Sequence, residues 1–107
     1  MEFNELLRFL GICRTYRGCH QLQLAVRLVC DNPERLCCVT ADVYKIVAAQ
    51  CNCSPSCVER NIRTIIFKVW KTNKHRLCEL FGYDVNIPPT AAEFIDILAF
   101  VIKRNEK

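Results

Sequence analysis

Glycine is scarce in this 107-residue chain, with three in all. So few exclude a glycine-rich loop of the kind that cradles nucleotide phosphates. Histidine is scarcer: His20 and His75 stand far apart and have no neighbours in a nucleophile or metal arrangement. Neither an enzyme nor a cofactor is expected. Long hydrophobic runs are also missing. The longest, Ile97 to Ile102, is far too short to span a bilayer. Glu2 and Glu5 occupy the place of a basic signal-peptide region, and no apolar segment follows them. A cytoplasmic protein with no membrane partner is the expectation. No strand-like alternation, internal repeat or low-complexity segment appears, which leaves an all-α fold.

Cysteine is abundant, at nine. An odd count in an intracellular chain argues against a closed disulfide framework. No C-x-x-C pair is present, and Cys51-x-Cys53-x3-Cys57 lacks a nearby fourth ligand, so no metal site is expected. Most of these cysteines fall where a small apolar residue would serve, and they read as core filler.

Half of the chain (51%) is hydrophobic and 24% is charged, as in an ordinary globular domain, here taken as one unit over residues 1–107. The net charge of +4 is unevenly placed. From Ser54 to Arg76 six basic residues (Arg60, Arg63, Lys68, Lys71, Lys74, Arg76) face one acid, Glu59, so that stretch carries +5 and the rest sums to −1. Localised positive charge favours a polyanionic partner.

Six helices are predicted. The first runs to Leu10 with Phe3, Leu6, Leu7 and Leu10 on one face, and Gly11 stops it. The second covers about 18–30, with Leu22, Ala25, Val26 and Val29 inward and Gln21, Gln23 and Arg27 outward, and it ends before Pro33. The third is expected from an N-cap at Thr40 to about Gln50. The fourth starts at Ser54-Pro55, a hydrogen-bonding cap followed by a residue suited to the first helical position, and reaches about Thr72. Its residues Val58, Ile62, Ile65, Ile66 and Val69 make an apolar rear, while Ser56, Glu59, Arg60 and Arg63 open the front. A short fifth helix covers about 74–81, an extended link follows, and a capping box at Thr90 and Glu93 starts the sixth. The short connection between the third and fourth helices suits a helix-turn-helix, with residues 55–72 entering the DNA major groove.

Gly11, Gly18, Ala25, Thr40, Tyr44 and Ala48, then Val58-Glu59-Arg60 with Ile62-Arg63, then Trp70, Phe81-Gly82-Tyr83 with Val85, and Pro89-Thr90 with Glu93-Phe94 follow one another in a specific order and spacing. In these residues, from about Gly11 to Ile95, the chain resembles the C-terminal effector domain of the bacterial sporulation master regulator, stage zero sporulation protein A. The resemblance implies a six-helix fold whose third and fourth helices bind double-stranded DNA. It implies that Glu59 and Arg60 read base edges and that Arg63 helps hold the backbone. The chemistry suits those roles: arginine bonds guanine in bidentate fashion and glutamate accepts from the cytosine amino group. Ser54, Ser56, Thr64, Lys68, Lys71, Lys74 and Arg76 are the further backbone candidates.

Three departures bear on specificity. Cys57 stands where the family has a base-contacting arginine, Thr64 where it has a histidine, and Pro88 where it has a lysine. One specific contact, typically about 1–3 kcal/mol, is thus expected to be absent. The family's receiver domain has no counterpart ahead of the matching residues, so either an excised domain or a free-standing effector domain under another control is the expectation. Phe67 and Phe100 fall on the wet faces of their helices and mark a candidate partner surface, for a second copy or a full-length response regulator. The alternative function is accordingly a degenerate effector-like module that modulates or antagonises such a regulator.

Overall fold

Helix ends in this protein are set by a few residues whose local chemistry leaves little choice. In the computed structural model, which describes residues 2–104, helix α1 (Phe3–Leu10) opens on a reciprocal cap between Glu2 and Glu5 and closes at Gly11, whose φ of 76° is left-handed. A connector leads to α2 (Gly18–Asp31). Asn32 is extended (φ −149°, ψ 96°), as a residue before proline tends to be, and a 3₁₀ segment (Pro33–Cys38) follows. A π turn (Thr40–Tyr44) runs into α3 (Lys45–Cys51), which ends at the left-handed Asn52 (φ 54°). Ser54 then caps the long α4 (Pro55–Phe81), its Oγ accepting from the Cys57 N–H at 3.1 Å. Finally α5 (Ala91–Arg104) starts at the predicted box: the Glu93 N–H donates to Thr90 Oγ1 at 3.1 Å, and the Thr90 N–H donates to Glu93 Oε1 at 2.9 Å.

Among the described residues there is no strand, and no helix is long and apolar enough to cross a membrane. The fold is all-α. It has the six predicted helices, because α4 comprises two arms. Asn73 has non-helical angles (φ −140°, ψ 42°), breaking the helix between the predicted fourth and fifth segments without separating them. The break has a visible cause. Asn73 Nδ2 donates to Leu10 O at 3.0 Å and Arg76 Nη1 donates to Phe9 O at 3.0 Å, so the carbonyls that end α1 find their partners on α4. Gly11 leaves room for this contact, since a Cβ there would lie 2.3 Å from Asn73 Nδ2.

Helix α2 packs against both α4 and α5. Leu22, Ala25, Val26 and Val29 meet Val58, Ile62, Ile65, Ile66 and Val69 of α4 and Phe94, Leu98 and Val101 of α5 in one buried cluster. Each large aliphatic side chain taken out of water contributes about 1.5–3 kcal/mol, which is what holds α4 by its rear.

Three expectations need correction. Thr40 caps nothing: Val39 before it is already helical (φ −58°, ψ −35°), and the Thr40 carbonyl accepts from the Lys45 N–H inside the π turn. Gln21 points inward and is 7% exposed, for reasons given below. Not all cysteines are filler, since Cys13, Cys37 and Cys38 are exposed.

Candidate nucleic-acid interface

Burying one face of α4 dictates what the other can offer. Val58, Ile62, Ile65, Ile66 and Val69 are all within 1% of full burial. At about 100° per residue, this turns Arg60, Phe67 and Lys71 straight outward along one ridge. All three are exposed, as are Ser56, Arg63, Thr64, Lys68 and Lys74.

The ridge has two different flanks. On one side Glu59 and Arg63, one turn apart, form an ion pair with their side chains 41% and 55% exposed. They edge a hollow of about 590 Å³ whose lining includes Tyr44, Phe67, Ile87 and Pro88. Burial pushes the Tyr44 phenol up to about 12, the Glu59 carboxylate adds to the rise, and Arg63 opposes it. On the other side, Lys68 Nζ sits 3.9 Å from the centre of the Tyr16 ring. Tyr16, Arg17, Thr64 and Lys68 line a smaller hollow of about 190 Å³ there. Between the flanks the Arg60 guanidinium has no hydrogen-bond or ion-pair partner among the described residues, and only its backbone carbonyl is used, by Thr64 Oγ1 at 3.0 Å.

The predicted basic residues are thus not equivalent. Arg60, Arg63 and Lys71, with Ser56 and Thr64, gather on the outward face of the first arm. Lys68 lies on its flank against Tyr16. Lys74 folds back over the Trp70 ring at 4.6 Å. Arg76, beyond the break, is committed to α1 through Phe9, by a carbonyl hydrogen bond and by a ring contact at 5.3 Å. Ser54 Oγ is occupied as the cap. Phe67 and Phe100 are exposed at 46% and 57% but lie on different helices, and Arg104 packs over the Phe100 ring at 5.8 Å.

What sequence reasoning missed is the seat of α4. Asn61 Nδ2 donates to Gln21 Oε1 at 2.9 Å, tying α4 to α2 behind the ridge. Gln21 Nε2 approaches Cys53 Sγ, and Asn61 Nδ2 approaches Cys57 Sγ, each at 3.6 Å. Beside them Gly18 allows the two helices to touch, because a Cβ there would lie 2.9 Å from the Asn61 carbonyl oxygen. A signal was present. Gly18, Gln21, Leu22, Ala25, Val26 and Val29 share helical spacing, so Gln21 belongs to the inward face despite its polarity.

Among the described residues no three His, Cys, Asp or Glu side chains gather so as to hold a metal ion. What the site offers is one charged ridge on a helix rooted in the core and preceded by a three-residue turn after α3. The family described as "Sporulation initiation factor Spo0A C terminal" matches residues 3–102. The chain belongs to this family. The Spo0A C-terminal family comprises DNA-binding sporulation effector domains rather than enzymes. It is a family of bacterial transcription regulators.

Proposed function

We propose that the protein is a sequence-specific, DNA-binding transcriptional regulator acting in the cytoplasm, with the first arm of α4 in the major groove. Arg60 reads a guanine edge and Glu59, oriented by Arg63, reads a neighbouring cytosine. Ser56, Arg63, Thr64, Lys68 and Lys71 hold the phosphates beside the groove. One observation carries this reading: the Arg60 guanidinium, with no hydrogen-bond or ion-pair partner among the described residues, stands on the outward ridge of a helix whose rear is buried. A side chain that does nothing for the fold, at the leading end of a rigid rod, is positioned to meet a ligand.

Selection of bound duplexes from a random pool tests the proposal. One enriched motif is expected, with binding that weakens steeply as salt is added. Arg60→Ala should relax discrimination at one base step. Equal binding of every duplex by both proteins overturns the reading and leaves only a basic surface.

A second reading draws on Phe67, a large hydrophobe on that same ridge, and on Ile87, 74% exposed beside it. Here the domain pairs with a second copy or a full-length response regulator and modulates it, Phe100 offering another contact. A pull-down against such a regulator, with and without DNA, separates the two. Capture that survives nuclease treatment and is lost in Phe67→Glu favours the interaction module.

A further inference from the structure

Two thiols flank the Ser54 cap between α3 and α4. Cys53 lies just ahead of the Ser54 cap and Cys57 lies in the first turn of α4, and both are partly exposed. The cap folds the chain back on itself, with the Cys57 N–H bonded to Ser54 O at 3.0 Å. This sets Cys53 and Cys57 on either side of the cap, four residues apart, with both sulfurs against the same bonded pair of amides. The pair is completed from behind. Gln21 Nε2 touches Cys53 Sγ, Asn61 Nδ2 touches Cys57 Sγ, and Gln21 and Asn61 are bonded to each other. Four side chains therefore form a chain at the root of α4, Cys53–Gln21–Asn61–Cys57, whose two ends are oxidisable sulfurs.

We infer that Cys53 and Cys57 form an oxidisable dithiol, closed to a disulfide by a peroxide and reopened by a thiol reductant, that controls the seating of α4. In the forward reaction the Cys57 thiolate attacks one peroxide oxygen and breaks the O–O bond. This gives a sulfenic acid and one water when the peroxide is hydrogen peroxide. The Cys53 sulfur then displaces the hydroxyl from Cys57, forming the S–S bond and releasing a second water. Two thiols and one peroxide become one disulfide and two waters, and the two electrons pass from sulfur to oxygen. The bridge draws Cys57 away from the Asn61 amide and so alters the bond by which α4 is tied to Gln21. The effect on DNA rests on the function proposed above.

The experiment treats the full chain with hydrogen peroxide and maps its thiols by mass spectrometry. Trypsin releases residues 46–60 as one peptide that contains Cys51, Cys53 and Cys57. A loss of two hydrogens located between Cys53 and Cys57 is expected, reversed by dithiothreitol, absent in Cys53→Ser and in Cys57→Ser, and kept in Cys51→Ser. Bridging through Cys51 instead, or free thiols at both positions once the exposed Cys13 is oxidised, overturns the inference. In parallel, the bridged protein should bind its selected duplex about tenfold more weakly, the scale of one buried donor losing its partner. Unchanged affinity in the bridged form overturns the controlling role. If the reduced protein binds no duplex, the DNA-binding proposal is what fails, and the thiol map still decides the dithiol.

Discussion

The two arms of α4 are both net positive, +3 ahead of Asn73 and +1 beyond it, but employ their cations differently. In the first arm Arg60 and Lys71 have no internal partner among the described residues, and Arg63 is paired only with its helical neighbour Glu59. Beyond Asn73 the cations turn inward: Lys74 lies over Trp70, and Arg76 holds the end of α1 beside Asn73. A cation that already satisfies a helix carbonyl gives up part of the fold if it leaves for a phosphate, so it is a poor source of binding energy. Charge counted along the sequence therefore overstates the interface, and what matters is charge left over after the chain has folded.

Exchanging one residue from each arm is the strongest test of that difference. Arg60→Ala should cost about 1–3 kcal/mol of discrimination at one base pair while leaving the thermal midpoint nearly unmoved. Asn73→Ala should do the reverse. It strips Leu10 O of its partner and should lower the unfolding free energy by about 1–3 kcal/mol, with the preferred duplex unchanged. Denaturant titration and competition gel shifts on both variants decide it. If Asn73→Ala changes the base preference or Arg60→Ala unfolds the protein, the division between the arms is wrong.

Tyr44 sits where the recognition flank meets the core, and it gives a smaller effect with a defined pH window. Its folded value is raised from 10.0 to about 12, chiefly by burial. Below pH 10 both the folded and unfolded chains keep the proton, and the residue adds no pH dependence. Between pH 10 and about 12 the unfolded chain ionises first, so stability falls as pH rises, by on the order of 2 kcal/mol in total. Tyr44→Phe should flatten this decline in urea titrations across the window. An equally steep decline in the variant would show that other groups cause it.

How far the sequence could be read follows the same line between backbone chemistry and side-chain commitment. Helix ends were legible wherever a local rule applied: Ser54 before Pro55, glycine at positions 11 and 82, and the Thr90–Glu93 box. The apolar rear of α4 was legible from spacing alone, and so was the exposure of Phe67 and Phe100. Thr40 misled because a π turn continues helical backbone through the place where a cap was expected. Gln21 misled because polarity was weighed above position. Its partner, Asn61, lies 40 residues away, and no local pattern announces a hydrogen bond across two helices. Arg76 reads as one more cation until the end of α1 is seen beneath it. The specific contacts of the site, the resemblance aside, depend on tertiary neighbours that spacing does not name.

The subtlest effect separates Lys71 from Arg76, which differ little in sequence and are both exposed. Each phosphate neutralised by a cation releases counterions and steepens the dependence of log affinity on log salt by about one unit. Lys71 has no partner among the described residues, so Lys71→Ala should reduce that slope by about one while lowering affinity evenly across sequences. Arg76→Ala should leave the slope in place and lower stability by about 1 kcal/mol, through the lost hydrogen bond to Phe9 O. Salt titrations of both variants on the selected duplex measure the slopes, and denaturant titrations measure the stabilities. Equal losses of slope would mean that Arg76 leaves α1 when DNA arrives, and that the second arm belongs to the interface after all. A loss at Lys71 alone would confine the interface to the arm ahead of Asn73, where Arg60 and Lys71 have no partner among the described residues.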